Sequence, residues 1–172
     1  MKKVVFLLSV MAFVFASCGD NADKVNKGII AQVEEVNAVV GEISQNISND
    51  EYDLARAAID TLVVKVASSQ AAIQLFNNKK AGVYKQAAVD YISFIGKKAP
   101  SVYGKAMQIF EAAKIREQED VASGKQSPNM VNSGPDFDEG RKLLKDFVKE
   151  LKQNQEVLIE KQDKFRAANG LN

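Results

Sequence analysis

The sequence predicts an all-α protein, an antiparallel four-helix bundle in a single domain over residues 22–172, behind a short apolar leader. Two observations point there. Apolar residues recur three and four positions apart through almost the whole chain after the leader, the period of a helix with one buried face, and no stretch shows strand-like alternation or a hairpin turn. The breakers are concentrated in one place, from Ser123 to Pro135, so the other connections are short and neighbouring helices run antiparallel.

The first helix is predicted over residues 22–48. Val25, Ile29, Val33, Val36, Val40, Ile43 and Ile47 form its seam, widened by Ile30 and Val39, while Lys24, Asn26, Lys27, Glu34, Glu35 and Asn37 supply the wet side. Ser48, Asn49 and Asp50 then offer side-chain oxygens as N-caps for a second helix over 50–77. Its seam is Tyr52, Ala55, Ile59, Leu62, Val66, Ser69, Ile73 and Phe76, matched in length and phase to the first, which argues for a hairpin.

A third helix over 80–122 carries Tyr84, Ala88, Tyr91, Ile95, Val102, Ala106, Ile109 and Ala113 in one phase. Gly96 and Pro100 interrupt it. Proline lacks the N–H that would bond the carbonyl four residues back and clashes with it, so the helix is expected to be kinked or broken at 96–100. Beyond the long loop, Asp136 with Glu139 three residues on has the spacing of a capping box and opens a fourth helix over 136–168. Phe137, Gly140, Leu144, Phe147, Leu151, Asn154, Leu158 and Phe165 make its seam. Asn154 is the one amide where an apolar residue is expected, and an amide in such a seam is read as fixing register.

The leader has three parts: Met1-Lys2-Lys3, an apolar run from Val4 to Ala16 broken only by Ser9, and Phe15-Ala16-Ser17-Cys18. A charged end, an apolar middle and small residues before a boundary describe a secretory signal, and a run of about 13 residues is short of the roughly 20 needed to span a bilayer. Residues 15–18 resemble the lipobox of bacterial lipoproteins, with Phe15 where leucine is usual. The resemblance implies removal of residues 1–17, a diacylglyceryl group on the Cys18 sulfur and acylation of the new amino group. It leaves residues 18–21 as a lipidated tether spanning at most ~18 Å. By the best-known sorting rule for such proteins, Gly19 rather than aspartate after the cysteine favours the outer membrane. An ordinary exported protein cut near Ser17 is the alternative.

Composition removes most chemistry. The 172 residues include no His, no Trp and one Cys, which excludes Ser-His-Asp hydrolysis, Glu-x-x-His di-iron sites, zinc-protease helices and c-type haem attachment within this chain. Lys+Arg number 23 against Asp+Glu 22, and loss of Lys2 and Lys3 leaves about −1, too little field to hold nucleic acid. Lys65 and Ser69 stand one helical turn apart, a spacing that chance produces in most helical proteins. Asp136 to Gly140 begins like a calcium loop, but the twelfth position is Phe147 where glutamate is required. Glu117, Glu119 and Asp120 read as a solvated helix end, and Gly124, Gly134 and Gly140 are too scattered to cradle phosphate.

Tyr84, Tyr91, Phe94, Tyr103 and Phe110 make the third segment the most aromatic part of the chain. They are the candidate lining of a pocket beside the expected break, or else core with hydroxyls at the rim. The functional expectation is a lipid-anchored binding or scaffolding protein of the cell envelope, without catalytic activity, metal or cofactor. Its partner would be an envelope protein or glycan, met through a helix face or the 123–135 loop. A carrier holding an apolar small molecule near residues 96–100 is the alternative.

Overall fold

The structure, a computed structural model, describes residues 21–124 and 135–171. They form four helices: α1 (Ala22–Ser48), α2 (Tyr52–Leu75), α3 (Gly82–Ala122) and α4 (Pro135–Ala168). The leader, Cys18 and loop residues 125–134 lie outside the described residues, as does the Asp136 side chain with its expected cap. α4 is already helical at Pro135, the residue type favoured at a first helical position, so Asp136 stands inside the first turn rather than ahead of it.

The helices pack as two hairpins, α1 on α2 and α3 on α4, joined along α2 and α3. α4 meets α1 only sparingly, and the fourth side is completed by a diagonal approach of α1 to α3. The seam residues Val25, Ile29, Val36, Ile43, Leu62, Ile73, Ile92 and Ile95 are sealed from solvent. Polar bonds also cross between the helices. Tyr91 donates to Asn37 Oδ1 at 2.9 Å, the Tyr103 and Ser44 hydroxyls lie 2.8 Å apart, and Gln162 Nε2 donates to Asn26 Oδ1 at 3.1 Å.

The turns depart from the expected caps. None of Ser48, Asn49 or Asp50 caps α2, whose N-cap position falls to Glu51 with no side-chain bond. Instead they close α1. Glu51 N–H reaches the Asn46 carbonyl at 2.8 Å and Asp50 N–H the Ile47 carbonyl at 3.1 Å, with Asp50 at φ 63°, a Schellman ending in which aspartate takes the left-handed position usually held by glycine. The Asp50 carboxylate is then free to accept from Tyr52 at 2.9 Å and to pair with Lys114 of α3. At the other end, Lys85 Nζ donates to the Gln74 and Phe76 carbonyls at 2.9 and 2.7 Å, satisfying backbone acceptors that the end of α2 leaves over.

α3 runs unbroken through Gly96 and Pro100, so of the kink or break expected from sequence the break does not occur. The reason lies in the stripe on either side of the proline. Ile95, Ala99 and Tyr103 are all buried, and separating the two halves would expose them, about 1.5–3 kcal/mol for a side chain as large as Ile95 and about 0.8 kcal/mol for the Ala99 methyl, against roughly 3 kcal/mol for one interior proline. Gly96 marks a close approach rather than a break: a Cβ there would lie 2.8 Å from Val66 Cγ1 of α2.

Candidate functional site

The five aromatic residues singled out from sequence are spread along α3 instead of gathering at one cavity. Tyr84, Tyr91, Tyr103 and Phe110 are buried and Phe94 half-buried. Four meet rings of α4: Tyr84 stacks on Phe165 with centroids 5.4 Å apart, Phe94 on Phe147 at 6.1 Å, Phe110 on Phe137 at 6.1 Å, and Tyr103 meets Phe147 edge-on at 5.5 Å. Burial pushes the phenols of Tyr84, Tyr91 and Tyr103 upward, so all three stay neutral donors at ordinary pH.

Tyr91 is the exception in position. It has no ring partner on α4 among the described contacts, and the helix opposite explains why. Between Phe147 and Leu158, both buried, α4 presents Leu151 and Asn154, both only half-buried. Asn154 spends its Nδ2 on the Glu150 carbonyl 2.9 Å away in its own helix, so it does not pin register across the seam as the sequence suggests. Amides that do bond between helices include Asn26, Asn37, Gln70 and Gln162, of which Asn26 and Asn37 are read from the sequence as wet-side residues.

A groove of about 460 Å³ opens between α3 and α4 where the seam thins. Val83, Ala87 and Val157 supply its apolar surface, with Val83 68 % and Val157 53 % exposed, large values for such side chains. Tyr91 and Asn154 stand within it, and Gln86, Asp90 and Lys161 line its remainder. Gln86 donates to Asp90 at 2.9 Å, which holds that wall in place. The groove is open, with more apolar than polar surface along its lining.

The comparisons do not extend this picture. No protein-family model, no curated protein and no solved structure matches the chain. The remaining sequence candidates are placed directly by geometry. Lys65 turns to Glu35 of α1 at 2.9 Å while Ser69 is sealed in the core, so the two form no catalytic pair. Glu117, Glu119 and Asp120 lie in the last turns of α3, and no group of three acidic, histidine or cysteine side chains that could hold a metal occurs among the described residues.

A second recess, about 230 Å³, lies between α2 and α3 beside Gly96, lined by Val63, Val66, Gln70, Ser93 and Lys97. Gln70 Nε2 donates to Ser93 Oγ at 2.6 Å across its floor. It sits where the sequence anticipates a carrier pocket, but it is shallow and falls below the ~300–1,000 Å³ of small-molecule sites.

Proposed function

We propose that the chain is a non-catalytic, lipid-anchored binding protein of the bacterial envelope, held by lipid on Cys18 and gripping another envelope protein through the α3–α4 groove. The observation that carries the binding half is the exposed apolar surface of Val83 and Val157 in a groove edged by Gln86, Asp90 and Lys161. Apolar side chains half or more exposed beside polar groups at the groove's edge match a partner that inserts an apolar side chain and meets polar groups around it. The anchoring half is supported by the lipobox-like Phe15-Ala16-Ser17-Cys18, by Cys18 being the single cysteine, and by the fact that no described helix is long and apolar enough to cross a membrane. Gly19 supports the outer membrane as its destination.

Two experiments on the full chain test the two halves separately. Growth with an alkyne-tagged fatty acid should label the wild type and leave Cys18→Ser unlabelled; equal labelling, or none in either, removes the anchor. A photo-crosslinking residue at Val157 should give a discrete adduct in cells that Ala87→Arg abolishes, whereas the same residue at Ile159 should not. An identical pattern at both positions, or no adduct at Val157, removes the groove as the binding site.

The groove volume also falls in the range of small-molecule pockets, which favours a carrier as the second reading. Native mass spectrometry separates them: a bound species of fixed mass lost in Ala87→Arg supports the carrier, and a ligand-free wild type excludes it.

A further inference from the structure

α2 carries a second seam, facing away from the core. Leu54, Ala57, Thr61, Val64, Ser68, Ala71 and Leu75 recur at alternating intervals of three and four from one end of the helix to the other, and every one is exposed. Leu54 is 56 %, Val64 70 % and Leu75 82 % exposed, the last the most exposed large apolar side chain described. No charge interrupts the line. This is a heptad seam with no partner in the monomer, the pattern by which one helix pairs with another. The first turns of α4, by contrast, expose Asp138, Arg141, Lys142, Lys145 and Lys149.

Charge along its flanks says what covers it. On a wheel with the seam at positions a and d, Asp60 occupies the g position on the α3 side and Lys65 the e position on the α1 side, five residues on. In a parallel pair of identical helices, g of one chain faces e of the other at that spacing, so Asp60 meets Lys65 of the second copy twice by symmetry. Lys65 already leans on Glu35 of its own chain, side chains 35 % and 49 % exposed, which leaves room for a second carboxylate beside the ammonium.

We infer that the outer face of α2 is a parallel homodimer interface, two copies of this chain packed α2 to α2 about a twofold axis along the helices. The choice of parallel over antiparallel rests on the anchoring reading above. Both chains then begin α1 at the same end of the dimer, whereas an antiparallel pair would lift one Ala22 about 36 Å from the other, twice what an ~18 Å tether spans. A helix of 24 residues offers a strip ~36 Å by ~10 Å, roughly 700 Å² for the pair before the flanks of α1 and α3 are added. That strip alone falls below the ~1,200 Å² of stable specific interfaces, so the dimer depends on the flanks, is weak in dilute solution and is favoured where both copies are confined to one membrane.

Oxidative crosslinking of the full chain in membranes decides it. Leu54→Cys, Val64→Cys and Leu75→Cys should each give a same-residue disulfide dimer, while Val148→Cys and Ile159→Cys on α4 should remain monomeric. Asp60→Lys in the Val64→Cys background should cut the dimer several-fold, because an ammonium would then oppose the Lys65 ammonium of the second copy. Mixing that chain with a Lys65→Glu, Val64→Cys chain should restore it. A dimer at Val64→Cys without one at Leu54→Cys or Leu75→Cys means antiparallel pairing and overturns the proposal, as do equal yields on α4 or monomer throughout. The wild type, whose only thiol is Cys18, is the control that keeps the two readings apart: a disulfide there shows an unlipidated cysteine and sinks the anchor, and the α2 and α4 positions are then compared in a Cys18→Ser background, where only the introduced thiol reports on the dimer.

Discussion

Ser69 gives the sharpest test of the packing. It stands in the α2 seam with no exposed surface, and its Oγ is the one buried side-chain oxygen or nitrogen among the described residues without a hydrogen-bond partner. The nearest conventional acceptor, the Lys65 carbonyl one turn back, is taken by Ser68 Oγ at 3.0 Å. Leaving a hydroxyl buried and unpaired costs about 1–3 kcal/mol, and serine is roughly 0.5 kcal/mol poorer than alanine inside a helix. Ser69→Ala removes both costs at the expense of a small void, worth a few tenths of a kcal/mol at ~24 cal/mol per Å³. The variant should therefore be more stable by about 1–2 kcal/mol, with a Tm raised by about 3–6 °C for a domain of this size. Urea unfolding followed by helical circular dichroism measures it, with an unchanged slope and a shifted midpoint. Ser68→Ala, exposed and bonded only to its own helix, should shift the midpoint little. A Ser69→Ala protein less stable by 1 kcal/mol or more would refute the reasoning, because the hydroxyl would then have a partner worth more than its burial costs.

Three further outcomes follow from the same packing. A Cβ on Gly140 would run into Phe110 Cε1 and lie 2.7 Å from Cζ, and that ring is held against Phe137, so Gly140→Ala should lose about 1–2 kcal/mol despite better helix propensity. Gly104→Ala, with open space around it, should gain up to about 1 kcal/mol, and equal gains in both urea curves would disprove the contact. Pro100→Ala should raise the unfolding free energy by about 1–2 kcal/mol, since α3 is already continuous there and alanine supplies the missing donor; a loss would mean that the helix depends on the proline. Burial works to raise the pKa of Asp50, but hydrogen bonds from Lys114 and Tyr52, with the Lys114 charge, outweigh it and hold the carboxyl below its ordinary 3.8. A depressed folded-state value stabilises above the unfolded-state value and is lost as pH falls through the folded one, so the wild type's advantage over Asp50→Asn at pH 7 should shrink progressively as pH falls below 3.8. An advantage unchanged at pH 3 would show that the carboxylate charge contributes nothing.

The helices were legible because each buried face repeats with helical period, and that signal is local. Residues such as Val25, Ile29, Val36 and Ile43 announce their burial by spacing alone. The continuity of α3 was not legible, because Pro100 speaks for itself in the sequence whereas the opposing term, burial of Ile95, Ala99 and Tyr103 against other helices, exists only once those helices are in place. The same limit hid Asn37 and Ser44, whose polarity assigns them to solvent until Tyr91 and Tyr103 arrive on α3 to bond them. The groove left a trace in Asn154, an amide in an apolar seam, although the inference drawn from it named register where the structure places an opening. The outer seam of α2 was hidden differently: two stripes on one helix blur the periodicity, and the residues that pack inward take the attention.

These observations bear on each other through α4. Its seam is thin, with buried residues at 137, 147, 158 and 165, and it leans on α3 with little support from α1. A partner wedged over Val157 would bridge α3 and α4 where Asn154 leaves them apart, so binding would add burial at the least covered stretch of that seam. The α2 face lies on a helix whose inner side is packed between α1 and α3 and whose outer side needs no rearrangement to meet a second copy. Groove and face therefore sit on different hairpins, α3–α4 and α1–α2, and occupation of one leaves the other open. For a weak dimer that separation matters, because one anchored pair would present two grooves, and the gain in avidity would come from doubled valency with no new contact in either groove.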